Sequence, residues 1–299
     1  MTRTDTSLRA RARPALRAAP RFATVSAAAA ALIACAAAPV DTAVAQAQVE
    51  AFARACGDPE ATATDVIKNC SRALQTNQLG SKGAAQAFLN RGAAFATLNK
   101  HQEALADFDR AVESFSDIAL LWSNRGRALL RLDRPQEALE SYERALSMAP
   151  RDAESELGRA TALIEVGRAG EAIPALNALI EAEPRNLRVI YQRARAHQAT
   201  GDADAALADV AAVLDAAPNA VAARLLEAQI LEERDPAGAR ASYAAAIETA
   251  PDDPRAYYRR GRLLDRAGQS DAALVDLKRA WELGYRDEWL NDRLVNAEQ

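Results

Sequence analysis

The sequence predicts an all-α chain, a solenoid of antiparallel helix pairs, and three observations carry that prediction. Alanine supplies 74 of the 299 residues; it is the best helix former and small enough to let helix axes approach closely. Aromatic residues make up 5%, too few for one thick core but enough for thin layers between helices. Pro150, Pro184 and Pro218 are spaced by 34 residues and Pro251 follows after 33, and a period near 34 marks a helical repeat array. With 13 Gly and 3 Cys, the chain is neither collagen-like nor a dense disulfide scaffold.

The first element is a targeting segment over residues 1–45. Arg3, Arg9, Arg11, Arg13, Arg17 and Arg21 are opposed only by Asp5, and an apolar run over 22–40 follows, the layout of a bacterial secretory signal. Ala43-Val44-Ala45 puts small residues where a signal peptidase reads, so cleavage is expected after Ala45, with Ala47 as the second choice. Leu32-Ile33-Ala34-Cys35 offers a competing reading, a lipobox in which Cys35 is diacylated and becomes the first mature residue. An uncleaved membrane anchor is the third. Nothing after residue 45 approaches the run of about 18 apolar residues that spans a bilayer. The expected location is therefore the periplasm, or the membrane surface if Cys35 is lipidated, and membrane contact is expected only in that case.

Residues 46–84 read as a helical pair, 49–55 and 64–75, with Ile67, Cys70 and Ala73 on one face of the second helix. Export leaves Cys56 and Cys70 as an even pair in an oxidising compartment, where a disulfide is the economical inference. Two free thiols would require a cytosolic chain, and with it a leader that does not act as a signal. There is no CxxC or CxxCH, so redox exchange and haem attachment have no support.

Residues 85–285 hold six repeats starting at 85, 119, 153, 187, 221 and 254. Small residues recur at position 8 (Gly92, Gly126, Ala160, Ala194, Ala228, Gly261) and near position 20 (Ala104, Ala138, Ala172, Ala206, Ala239, Ala273). Larger residues follow at position 24: Phe108, Tyr142, Leu176, Val210, Tyr243 and Leu277. Small residues let the two helices of a repeat pack closely, and proline near position 32 ends the second helix, because it lacks an N–H and disfavours helix in the residue before it. Repeat 1 has Ser116 in place of that proline, repeat 5 has lost one residue near Asp235-Pro236, and repeat 6 ends in Tyr285. Trp281, Trp289, Leu290 and Leu294 fit a C-terminal cap helix over about 287–297, within residues 286–299, because the last unit of an array must cover its own apolar end.

This register resembles the tetratricopeptide repeat family over two thirds of the chain. The resemblance implies a right-handed superhelix whose concave face, lined by first-helix positions 2, 5, 6, 9, 12 and 13, holds peptide segments. Asn90-Arg91-Gly92 and Asn124-Arg125-Gly126 also resemble exported bacterial members in which a cysteine-stapled cap precedes the repeats. The carboxylate-clamp pattern of the family fits only in part. Asn124 and the Arg255/Arg259 pair suit it, whereas Leu89 and Ala93 stand where it wants a cation and an amide, so the clamp is not carried over.

The concave positions carry an excess of cations. Repeat 2 places Arg127 and Arg131 there, repeat 4 Arg188 and Arg195, and repeat 6 Arg255, Arg259, Arg262 and Arg266. Against these eight stand Glu154, Glu165, Glu232, Glu233 and Asp265. Tyr191 and Tyr258 flank the arginines, and aromatics beside guanidinium forks are typical binding hot spots. Two outcomes stay open: a groove that captures partner segments bearing carboxylates, with repeat 6 as the strongest contact, or internal pairing in which Glu154, Glu165 and Glu232 satisfy neighbouring arginines. Arginine at position 7 (Arg91, Arg125, Arg159, Arg193, Arg260) tracks the repeat and reads as structural, reaching out or pairing with acids of the second helix.

No catalytic constellation, metal site or cofactor is expected. His101, expected in the turn of repeat 1, and His197, expected to pack at position 11 of repeat 4, lie far apart, and HExxH, GxSxG and P-loop motifs are missing. The formal net charge is −4. The leader holds six arginines and two aspartates, so the rest of the chain has 31 basic and 39 acidic residues, a net charge of −8. An acidic chain has no global attraction to nucleic acid. The function read from sequence is a non-enzymatic protein-binding scaffold of the cell envelope; the alternative is a lipid-anchored accessory subunit of an outer-membrane or secretion assembly.

Overall fold

The computed structural model describes residues 42–297. The expected leader up to residue 41, with Cys35, lies outside the described residues. Among these there are fifteen helices and no strand. The order is α1 (Thr42–Cys56), α2 (Ala63–Gln75), α3 (Ser81–Thr97), α4 (His101–Ser114), α5 (Ala119–Arg131), α6 (Pro135–Met148), α7 (Ala153–Glu165) and α8 (Ala169–Ala182). It continues with α9 (Leu187–Ala199), α10 (Ala203–Ala216), α11 (Val221–Leu231), α12 (Pro236–Thr249), α13 (Pro254–Arg266), α14 (Ser270–Glu282) and α15 (Glu288–Asn296). No helix among the described residues is long and apolar enough to cross a membrane.

From α3 onward each odd helix pairs with the next even one, and each pair packs on the pair that follows. First helices of neighbouring repeats also touch, from α3 to α5, α7, α9 and α11 in turn. That places the first helices on the inner curve of an all-α superhelix, and side chains at their exposed positions face a common groove. Small residues set the spacing within a pair: a Cβ on Gly92 would lie 2.6 Å from the Phe108 ring.

Local chemistry explains the boundaries. Ala149, Glu183, Ala217 and Ala250 end the second helices in non-helical conformations with ψ of 76–80°, each directly before Pro150, Pro184, Pro218 or Pro251, where proline crowds the preceding residue out of the α region. Repeat 1 lacks the proline. There Phe115 is extended instead, and the Trp122 indole N–H donates to the Ser116 carbonyl at 2.8 Å. The turn inside a repeat closes on a left-handed residue at position 15: Asn99, Asp133, Gly167, Gly201 and Gly268 all have positive φ, the usual C-terminal stop of a helix. Repeat 5 has lost this residue. Its first helix stops early at Leu231, and Asp235 caps the next by accepting from the Gly238 N–H at 3.0 Å.

Three differences from the sequence reading are local. The first helix of repeat 1 begins at Ser81, a turn before residue 85. His101 is the first residue of α4 rather than part of the turn. In α2, Cys70 and Ala73 are buried while Ile67 is only half-buried, because Val66 and Leu74 take the face toward α3. Cys56 and Cys70 form a disulfide with a Cα–Cα distance of 4.6 Å. The Asn90 amide ties this cap to repeat 1, donating to the Cys56 carbonyl at 3.2 Å.

Candidate functional site

Position 7 is structural, and its partner is position 23 of the same repeat. Arg91 binds Asp107, Arg193 binds Asp209 and Arg260 binds Asp276, each through two bonds of 2.7–2.8 Å. Arg125 instead donates to Ser141 at 2.7 Å and Asp109 at 2.7 Å. In repeat 5 the polarity reverses, and the Ser242 hydroxyl donates to Glu227 at 2.8 Å. Repeat 3 has Ala175 at position 23, and Arg159 turns to Glu143 at 3.8 Å. These partners account for Asp107, Ser141, Asp209, Ser242 and Asp276 among the buried polar residues, and they remove the position-7 arginines from the binding inventory.

The groove arginines divide by partner. Arg188 bonds Glu154 at 3.1 Å, Arg195 bonds Glu165 at 2.8 Å, and Arg266 bonds Glu232. These are links between neighbouring repeats, so the internal pairing allowed by the sequence accounts for three of the eight cations. Glu232 also accepts the Tyr243 hydroxyl at 2.6 Å, and burial, reinforced by that carboxylate, pushes the Tyr243 pKa well up. Arg255 pairs at 2.6 Å with Asp253, the residue that caps its helix by accepting from the Arg255 backbone N–H.

A concavity of about 310 Å³ lies across repeats 4–6, lined by Tyr191, Arg195, Arg255, Tyr258 and Arg259, with Gln198, Gln229 and Leu225 among its other walls. No acidic side chain lines it. Burial raises the Tyr191 pKa against the pull of Arg195 and Arg255, so its hydroxyl is a neutral donor facing the cations. A neighbouring concavity of about 340 Å³ shares Tyr258, Arg259 and Tyr285 and adds Arg262, Arg266, Glu232 and Asp287. Tyr258 differs from an open hot spot. It is 5% exposed, stacks on Tyr285 at 4.2 Å, meets Trp289 edge-on at 6.1 Å and donates to Asp287 at 2.5 Å. Its body therefore belongs to the C-terminal cap. Arg262 lies 4.8 Å over the Trp289 ring, leaving Arg259 as the cation of this end with neither an acid nor an aromatic ring as partner among the described residues.

Asn124, Arg127 and Arg131 stand apart from these, in a concavity of about 330 Å³ between repeats 1 and 2. Arg188 lines none of the three. Pairing of the position-7 arginines with acids of the second helix is one of the two sequence readings, but the particular acids and the cap contacts of Tyr258 are not identified there; an acid 16 residues after Arg91, Arg193 and Arg260 is the available signal for the former. No group of three or more His, Cys, Asp or Glu among the described residues is placed to hold a metal ion.

An inner layer of repeated helices facing an open, basic groove defines a helical-repeat binding scaffold. Models of the tetratricopeptide repeat family match residues 71–119, 123–186, 191–235 and 242–275. The chain belongs to the tetratricopeptide repeat family, whose repeats are protein-interaction units. A search of curated proteins finds no match. Among solved structures, the chain is similar to a tetratricopeptide repeat protein from Parabacteroides merdae, at 17% identity and TM-score 0.69, covering 85% of this chain and 99% of that one. It is similar to PilW, a type IV pilus biogenesis factor, at 16% identity and TM-score 0.60, covering 72% and 98%. It is also similar to PilF of Pseudomonas aeruginosa, at 19% identity and TM-score 0.53, covering 73% and 99%. At these identities the likeness establishes the fold.

Proposed function

We propose that this chain is an exported scaffold of the bacterial envelope that holds acidic segments of partner proteins in its concave groove, without chemistry of its own. The acid-free concavity over repeats 4–6 carries this reading. Arg255 and Arg259 stand there beside the neutral Tyr191 donor, in a chain whose remainder is acidic. Guanidinium forks with a phenol donor match carboxylates in geometry as well as charge. Export is supported by the basic and apolar leader and by a disulfide suited to an oxidising compartment. Cleavage after Ala45 or Ala47 leaves the packed residues of α1, Val49 and Cys56, in the mature chain.

Anisotropy with a labelled peptide bearing one Asp/Glu cluster tests the groove. Replacing both Arg255 and Arg259 by Ala is expected to weaken binding about tenfold or more, the scale of losing two charge-assisted contacts; unchanged affinity overturns the reading. The Leu32-Ile33-Ala34-Cys35 motif supports the second reading, a lipid-anchored accessory subunit. Mass spectrometry of the mature N-terminus separates them: Gln46 or Gln48 favours the soluble form, and acylated Cys35 the anchored one.

A further inference from the structure

An arginine pair at groove positions 9 and 13 occurs in repeats 2 and 6, although in repeat 6 Arg266 is paired with Glu232. Positions 6, 9 and 13 are Asn124, Arg127 and Arg131 in repeat 2, and Arg259, Arg262 and Arg266 in repeat 6. Between them repeat 3 has Gly158, Thr161 and Glu165, and repeat 5 has Leu226, Gln229 and Glu233. Repeat 4 keeps one cation, Arg195, and Glu165 neutralises it. Positive charge therefore lies at two ends of one surface, with a compensated stretch between.

The concavity between repeats 1 and 2 is lined by donors. Arg127 and Arg131 are exposed and pair with no carboxylate among the described residues. Asn124 is 8% exposed, and its Oδ1 accepts from Arg127 at 2.5 Å, which leaves the Nδ2 group of a nine-tenths buried amide without an acceptor at the cavity wall. His101 lines the same space. Its Nδ1 is buried with no partner. No acid lines the cavity, and Ala93, Ala96, Phe108 and Ala128 make its apolar floor, where charge-assisted bonds are weakened less by water.

We infer that this concavity is a second carboxylate-binding subsite, so that the partner segment carries two acidic clusters joined by an uncharged stretch that crosses repeat 3 and its ion pairs to repeat 4. The inference rests on the groove reading above. Two linked contacts act through effective concentration, which makes the pair tighter than either alone when the linker spans the sites.

The test compares the one-cluster peptide with two-cluster peptides whose Gly/Ser linkers run from about 5 to about 30 residues, r.m.s. spans of roughly 12 to 30 Å. At the best linker length, the two-cluster peptide is expected to bind at least about tenfold more tightly. Arg127→Glu with Arg131→Glu should abolish that gain while leaving one-cluster affinity at repeats 4–6 intact. Both positions are exposed, and an unchanged melting curve verifies the fold. Equal affinity of one- and two-cluster peptides at every linker length, or a gain that survives the double substitution, overturns the second subsite alone. If no acidic peptide binds, the groove reading falls with it.

Discussion

At the N-terminal end of the array the helical pair is held by one covalent bond over a small apolar cluster: Cys56, Cys70 and Ala87 are its buried members, with Val66, Leu74 and Leu79 at the edge. At the C-terminal end a single nine-residue helix is held without a covalent link. Leu290 is fully buried among Tyr258, Leu264 and Leu277, with Tyr257, Trp281, Tyr285 and Trp289 around it. Arg293 pairs with Asp265 at 2.8 Å, and Arg286 lies 3.8 Å over the Trp281 ring. A solenoid can thus close an end either by restricting the unfolded chain or by supplying large side chains, and the two solutions respond to different insults.

The largest effect that would sharpen this contrast is expected from Leu290→Ala, which should cost about 2–5 kcal/mol through lost burial and a cavity. Hydrogen exchange should speed up over α13–α15 and stay unchanged over α1–α2; equal loosening at both ends would break the comparison. Reducing the disulfide should cost about 3 kcal/mol, from a loop of about 15 residues in the chain-entropy model. Exchange over α1 and α2 should then rise, with no change in α13–α15. Acid should act at the other end of the array, and more weakly. Hydrogen bonding to Arg255 holds the Asp253 carboxyl below its ordinary pKa. Its stabilisation is therefore present above the unfolded carboxylate value of about 3.9 and is lost as pH falls through the lower folded value. Titrating from pH 6 to 2 should loosen the start of α13, and Asp253→Asn should shrink that acid response without affecting sensitivity to reductant.

The fold was legible because its signals repeat. Six agreeing registers placed every second helix within a few residues, and prolines marked where those of repeats 2 to 5 stop. The left-handed residue at position 15 was harder to see, since Asn99 and Asp133 do in repeats 1 and 2 what Gly167 and Gly201 do later. In the groove, the sequence reading placed the cations and named Glu154, Glu165 and Glu232 as internal partners without deciding between internal pairing and an open groove: Glu154 and Arg188 are 34 residues apart, and only the stacking of repeats brings them together. Tyr258 was misplaced for a related reason. Its position follows the repeat, but the helix that covers it, α15, lies outside the period.

The alternation of partners at positions 7 and 23 bears on how a chain of near-identical units finds its proper neighbours during folding. Any first helix could in principle dock on the second helix of another repeat, because the small and large apolar positions match. The polar rungs do not match. Glu227, placed opposite Asp107, Asp209 or Asp276, would bring a half-buried carboxylate against a buried one, and a position-7 arginine set against Ala175 would lose its position-23 acceptor. Shuffled pairings therefore carry a penalty that native ones escape, and the departures from the repeat consensus act as addresses that keep each helix with its own partner.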